Sequence, residues 1–154
     1  MTFRLKSAAF SAGDRIPKRY SCEGADLSPP FAWIDVPSAT RGFMLVCDDP
    51  DAPDGTWHHW ALFNVPATVT QLNEGVARAP HVGVLRQAIN DFGETGYRGP
   101  CPPRGHGMHH YHFRLLALDV DKLSINDSAK CTDVEAAAGP HVIDTTELNG
   151  TYSR

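Results

Sequence analysis

The segment "DDPDAPDGTWHHW", residues 48–60, gathers the residue types that most often carry chemistry in a small protein. It contains four aspartates, the adjacent histidines His58 and His59, and two tryptophans. An imidazole titrates near neutral pH, and a neighbouring carboxylate can hold it in one orientation. The segment therefore offers the parts of an anion site, a metal site or an acid–base pair.

The turn inside this segment, "DPDAPDG", is stiffened by Pro50 and Pro53, which fix φ and remove two backbone donors. Two interpretations of the turn stay open. It is a rigid connection after an apolar strand, or it is an arm that aims the carboxylate of Asp49 or Asp51 at one neighbouring group.

A second group of histidines lies in "MHHYHFRLLALD", residues 108–119, where polar and apolar positions alternate. The face predicted to be buried carries His109, Tyr111, Phe113, Leu115 and Ala117. A histidine and a tyrosine at the start of a buried face need a polar partner or a pocket. The same alternation means that only one of His58 and His59 can line a site if their segment is a strand. A structural role for that histidine remains the alternative.

The loop "NDFGETGYRGPCPPRGHGMHHY", residues 90–111, is rich in glycine, which allows backbone N–H groups to converge on an anion. The prolines have no N–H group, so Gly99 and Cys101 are the only amide donors inside "GPCPP". The alternative interpretation is a rigid surface loop.

The elements that must position these groups are short. The sequence has 13 glycines and 12 prolines between brief apolar segments, which is typical of a mostly β protein. Strands are predicted at residues 3–5, 31–36, 42–47, 58–65 and 108–119. One helix is predicted near the C-terminus, with Thr132 as its N-cap and Gly139-Pro140 at its end. Without repeats or linkers, residues 1–154 are predicted to form a single domain.

Charge and hydropathy exclude several classes of function. The formal net charge is −4 and the basic residues are scattered, so no nucleic-acid partner is expected. No stretch approaches the ~20 apolar residues of a membrane span, so no transmembrane segment is predicted. Leu116 and Leu118 are expected on the less buried face of their strand, and a homodimer contact there is left open.

The four cysteines are irregularly spaced and form no C-x-x-C pair, which argues against a zinc ribbon or a thioredoxin-type redox motif. We expect buried or unreactive thiols. Because the N-terminus also lacks the apolar run of a signal peptide, a cytoplasmic location is predicted, where thiols stay reduced.

Several motifs that are weak alone become specific in combination, above all "DPDAP" with "GYRGPCPP" and a following H-x-Y. In chain order the motifs are "SPPFAW" (28–33), "DPDAP" (49–53), "WHHW" (57–60), "NDFGETGYRGPCPP" (90–103), "HHYHF" (109–113) and "ELNGTYSR" (147–154). This arrangement, which covers nearly the whole chain, resembles the phosphatidylethanolamine-binding protein family and especially its bacterial Raf-kinase-inhibitor-like branch.

The resemblance implies a mostly β fold with a large antiparallel sheet, a smaller second sheet and one or two short helices near the C-terminus. It also implies a small pocket for phosphate-like anions or phosphoethanolamine. The pocket residues carried over by position are Asp49, Pro53, Trp57, His59, Gly99, Cys101, Pro102, Pro103, His109 and Tyr111. His110 departs from the family, which usually has arginine there, so a positive charge at this position depends on pH.

The function predicted from these residues is binding of a small anion or phospholipid headgroup, in a regulatory and non-catalytic role. No catalytic residue, metal ion or cofactor is assigned, and the identity of any protein partner stays open. The alternative is a hydrolase or metal-dependent enzyme that uses His59, His109 and Asp49 or Asp51. A third alternative is a scaffold that binds another protein.

Overall fold

The computed structural model describes residues 1–154, which form two antiparallel β-sheets. The large sheet has six strands in the order β6-β7-β4-β3-β8-β9, and the small sheet has three in the order β1-β2-β5. The strands are β1 (Arg4–Lys6), β2 (Phe31–Ile34), β3 (Gly42–Asp49), β4 (Trp57–Pro66), β5 (Gln71–Leu72), β6 (His81–Val82), β7 (Leu85–Gln87), β8 (His109–Leu118) and β9 (Val142–Tyr152). The predicted strands and the predicted two-sheet fold class are confirmed.

The main core lies between the two sheets. The odd-numbered residues of β8 from His109 to Ala117 are all buried, as their alternation predicts. Strand β3 lies between β4 and β8 and is buried on both faces, because the main core covers one face of the sheet and a second core covers the other. Aromatic rings dominate the packing, and Phe31 of the small sheet lies 5.1 Å from Phe113 of the large sheet, centroid to centroid. This core fixes the ends of β3, β4 and β8 relative to one another.

A second, smaller core covers the opposite face of the large sheet. It is closed by helix α1 (Cys131–Ala138), which is followed by a short 3₁₀ turn at Gly139–His141. Leu118 is 2% exposed in this core, and Leu116 packs against the same cluster. The expectation that both leucines lie on a less buried face open to a dimer contact is therefore wrong for Leu118, because α1 and its flanking loop fill that side. No helix in the structure has the length and apolar character needed to cross a membrane.

Helix α1 begins two residues earlier than expected. Its N-cap is Lys130 and not Thr132, and the Lys130 N–H donates to the Asp133 carboxylate at 2.9 Å. The carboxylate satisfies one of the free donors of the first turn and complements the helix dipole. The end of the helix at Gly139-Pro140 agrees with the prediction.

Replacing the capping carboxylate is expected to have a small, measurable effect. Asp133→Ala should lower the free energy of unfolding by about 0.5–1 kcal/mol, because the Lys130 N–H loses its acceptor. Urea denaturation followed by circular dichroism measures this change. Thr132→Ala is the matched control, since the exposed Thr132 side chain makes no hydrogen bond, and equal losses in both variants would contradict this assignment of the cap.

Two of the four cysteines are not thiols. Cys22 and Cys101 form a disulfide across 79 residues, whereas Cys47 and Cys131 are free and buried. The expectation of four thiols is therefore wrong for the first pair. The irregular spacing of the cysteines did not indicate the bond, because the two segments come together only in the fold.

Candidate functional site

The carboxyl end of β3 and the amino ends of β4 and β8 meet at one edge of the large sheet. In the β3–β4 ladder Cys47 pairs with Trp60 and Asp48 pairs with His58, so His59 is one extra residue on β4. Such a bulge re-aims side chains near functional sites. Here both His59 and Trp60 are buried toward the main core, whereas His58 turns toward Glu135 of α1.

Asp49 and His109 form the buried polar pair at this edge. The His109 Nδ1–H donates to Asp49 Oδ2 at 2.6 Å, and the two side chains are 4% or less exposed. The second carboxylate oxygen of Asp49 accepts the Asp51 N–H at 2.8 Å. The carboxylate thus fixes the tautomer and orientation of His109, and the turn in "DPDAP" fixes the carboxylate. Of the two aspartates considered from the sequence, Asp49 reaches this histidine and Asp51 pairs with the exposed His110.

His59 is held by a different partner. Its Nδ1–H donates to the Arg98 carbonyl oxygen at 2.6 Å, which leaves Nε2 without a partner in the protein. Burial lowers the pKa of His59, outweighing that hydrogen bond and the nearby carboxylates. His59 is therefore a neutral imidazole at neutral pH, and its Nε2 is a hydrogen-bond acceptor.

The loop from Tyr97 to Pro103 is braced against the segment from Tyr20 to Asp26. The Tyr97 hydroxyl donates to the Tyr20 carbonyl oxygen at 2.7 Å, and the Gly99 N–H donates to Asp26 Oδ1 at 2.7 Å. The disulfide adds a covalent link next to these bonds. Because its N–H is used by Asp26, Gly99 supports the loop, whereas the Cys101 N–H donates to no other group of the protein.

These elements enclose a cavity of about 190 Å³. Its lining consists of Asp49, Ala52, Pro53, Asp54, Trp57, His59, Phe92, Cys101, Pro102, Pro103, His109 and Tyr111. Nine of the ten residues assigned from the sequence are in this set, and Gly99 is the exception. The volume is below the ~300–1,000 Å³ typical of sites for drug-sized ligands, so the cavity suits a small group.

Aromatic rings form the walls of the cavity. Phe92 packs edge-on against Trp57 and His59 at centroid distances of 5.5 and 5.3 Å, and Tyr111 lies 5.4 Å from His59. Burial, followed by the charge of Asp49, raises the pKa of Tyr111, so its hydroxyl stays a neutral donor. The indole N–H of Trp57 is buried and has no partner in the protein. A buried donor without a partner is uncommon in native proteins.

Sequence reasoning missed four residues of this region. Ala52 and Asp54 lie inside the turn "DPDAPDG". Phe92 is positioned by Asn90, whose side-chain oxygen accepts a hydrogen bond from the Phe92 N–H at 2.9 Å. The fourth, His106, is outside the lining, but its Nδ1 lies 2.6 Å from Nε2 of His109. The motif "RGHGMHH" contains this histidine, and its spacing of three residues from His109 was the available signal.

A separate group of potential metal ligands lies on the other side of the sheet. Ligand atoms of Asp48, His58 and Glu135 lie within 4.8 Å of one another. The Arg114 guanidinium binds both carboxylates, at 2.8 Å from Asp48 and 3.1 Å from Glu135. The Glu135 carboxylate, which lies 3.3 Å from His58 Nδ1 and accepts its hydrogen bond, raises the pKa of His58. This group is therefore an ion-pair network between β3, β4, β8 and α1.

The fold and the site together define a class: a two-sheet β protein with an imidazole-lined cavity at one edge of its large sheet. The family model described as phosphatidylethanolamine-binding protein matches residues 6–153. The chain belongs to the phosphatidylethanolamine-binding protein family, as its motifs suggest.

Curated relatives and solved structures agree with this assignment. A UPF0098 protein of Methanothermobacter thermautotrophicus is 46% identical over 153 residues, covering 97% of this chain and 98% of the relative. A UPF0098 protein of Aquifex aeolicus is 44% identical over 148 residues, covering 96% and 86%. The crystal structure of Escherichia coli YbcL, titled a new member of the mammalian PEBP family, superposes with a TM-score of 0.94 at 32% identity, covering 100% and 99%. The homologue CT736 of Chlamydia trachomatis gives a TM-score of 0.88 at 39% identity, covering 99% and 98%.

Proposed function

We propose that this protein binds a small monoanion or a zwitterionic phospholipid headgroup, such as phosphoethanolamine, and acts by occupancy without catalysing a reaction. One observation carries the proposal. His59 and His109 come from different strands, line one cavity of about 190 Å³, and each uses Nδ1 for a hydrogen bond to a protein oxygen. Nε2 of His59 has no partner in the protein, and Nε2 of His109 contacts only the exposed His106.

The polar groups of the cavity suit a phosphate group that carries one proton. The Cys101 N–H and the Tyr111 hydroxyl supply donors for anionic oxygens, and the His109 imidazole supplies a further hydrogen-bonding group. The neutral His59 supplies an acceptor, which matches the P–OH group of a monoanion.

The charges that line the cavity favour the same ligands. Asp49 and Asp54 are the two carboxylates of its lining, and no lysine or arginine lines it. A bare dianion is therefore repelled, and a zwitterion gains a partner for its ammonium group at the exposed Asp54. We expect tighter binding of phosphoethanolamine than of a phosphate monoester that lacks the amine.

Removal of either imidazole tests the proposal. His59→Ala and His109→Ala should each weaken the binding of inorganic phosphate or phosphoethanolamine by about 1.5–3 kcal/mol, the range for a hydrogen bond to a charged group. Isothermal titration calorimetry measures the affinities. His141→Ala is the control, because the half-buried His141 lies outside the cavity lining, in the 3₁₀ turn after α1, and pairs with Asp119.

Circular dichroism of each variant separates a binding defect from loss of fold, since both pocket histidines are buried. Unchanged affinity in both folded variants would contradict the proposed site. Equal weakening in the His141→Ala control would also count against it.

The competing candidate is a hydrolase or metal-dependent enzyme, because a carboxylate-oriented histidine is also an acid–base pair. The cysteines do not favour an enzyme with a thiolate nucleophile. Cys101 is in a disulfide, and burial raises the pKa of Cys47 well above its usual value and that of Cys131 to about 12. A stoichiometric metal in purified protein, removable by a chelator with loss of phosphatase or esterase turnover, would establish the enzyme instead.

A further inference from the structure

Both ring nitrogens of His109 are occupied by other protein groups. Asp49 accepts from Nδ1, and Nδ1 of His106 lies 2.6 Å from Nε2. The two imidazole centroids are 4.8 Å apart. The two nitrogens are within hydrogen-bond distance of each other, so neither nitrogen is free for a third group along that direction.

A ligand oxygen that accepts a hydrogen bond from Nε2 of His109 must lie about 2.7–2.9 Å from it, along the same direction. His106 already fills that position, although it is not part of the cavity lining. The His106 contact and an anion contact at Nε2 are therefore mutually exclusive. We propose that His106 is a gate, an inference that rests on the proposed function. His106 occupies Nε2 of His109 while no anion is bound, and it is displaced when an anion binds.

The surroundings of His106 allow the displacement. His106 is exposed, so its ring can turn into water without opening the core. Its neighbours Gly105 and Gly107 have φ values of +73° and +95°, and no heavy atom lies within 4 Å of where a Cβ would stand on either. The turn is held by two backbone bonds, from His106 N to Pro103 O and from Gly105 N to Arg154 O, both 3.1 Å.

The gate weakens anion binding, because the hydrogen bond between His106 and His109 must be broken before the anion can bind to Nε2 of His109. A net intramolecular hydrogen bond corresponds to a change in affinity of about twofold to tenfold. Removing the His106 imidazole should therefore tighten anion binding by that factor. A residue that contacted the anion directly would have the opposite effect on removal.

Two variants and a control test the gate by calorimetric titration with inorganic phosphate. His106→Ala should bind phosphate about twofold to tenfold more tightly than the unmodified protein. His106→Asn keeps a polar atom near the position of Nδ1, so it should restore an affinity close to that of the unmodified protein. His141→Ala, which removes a histidine outside the cavity lining, should leave the affinity unchanged.

The outcomes separate the gate from the proposed function. Unchanged or weaker binding in a folded His106→Ala variant overturns the gate, and weaker binding makes His106 a ligand contact. Absence of phosphate binding in the unmodified protein and in every variant defeats the proposed function itself. Loss of binding in His109→Ala together with an unchanged His106→Ala affinity leaves the site in place and removes only the gate.

Discussion

The double variant Cys22→Ser, Cys101→Ser is expected to lower the free energy of unfolding by about 2–5 kcal/mol, among the largest effects of any change considered for this protein. The bond joins residues that are 79 positions apart, so its loss returns a long loop to the unfolded chain. Because Cys101 also lines the cavity, phosphate binding should weaken as well. Urea denaturation and calorimetric titration measure the two effects.

The reductant response provides the control. Reduction of the unmodified protein should lower its stability to that of the double variant, whereas the same reductant should leave the double variant unchanged. A stability that is the same with and without reductant in the unmodified protein would mean that the bond contributes nothing to folding.

This disulfide also bears on location. The cytoplasmic location predicted from the sequence assumes that the cysteines are reduced thiols, and Cys22 and Cys101 are not. Disulfides persist in oxidising compartments and in the cytosol of hyperthermophiles. Counting the thiols of protein isolated from its own cells under alkylating conditions distinguishes two free cysteines from four.

Gly99→Ala is the second change with a large expected effect. A Cβ at this position would overlap the Tyr20 carbonyl oxygen and would stand 2.7 Å from Asp26 Oδ1. The backbone must move to relieve the overlap, and the buried bond from the Gly99 N–H to Asp26 is then strained or lost. We expect a loss of about 3 kcal/mol or more in the free energy of unfolding, measured by urea denaturation.

The matched control for this change is Gly139→Ala. Gly139 has a helical φ of −45° and no heavy atom within 4 Å of the added Cβ, so the free energy of unfolding should stay within about 0.5 kcal/mol. A Gly99→Ala protein as stable as this control would show that the loop yields easily, and the braced cavity wall described above would be wrong.

Period-2 alternation explains why much of the fold was predictable. In β8 the apolar set from Phe113 to Ala117 specifies one buried face, and the same register carries His109 and Tyr111 to the cavity. Proline and glycine marked the loop and the end of α1 for equally local reasons. The motifs indicated ten residues for the proposed site, and nine of them line the cavity.

The features that sequence reasoning missed depend on contacts between distant segments. The Cys22–Cys101 bond and the burial of Leu118 both require knowledge of which segments pack together. Alternation alone, counted back from the buried Trp60, would turn His58 toward the cavity and His59 away from it. The extra residue in β4 reverses this assignment, and no residue type in "WHHW" signals a bulge.

The extra residue in β4 determines which of the adjacent histidines faces the cavity and which faces α1. His59 lines the cavity, and His58 pairs with Glu135 of α1. Deleting one residue between Trp57 and Trp60 would restore regular pairing with β3 and leave a single histidine opposite Asp48, at the outward position that His58 now has. Substitution can therefore tune the strength of the pocket, but a change in chain length would remove the inward-facing position altogether. Insertions and deletions in β4 should therefore disrupt the cavity far more than point substitutions do, even where the residues that remain have the same chemical type.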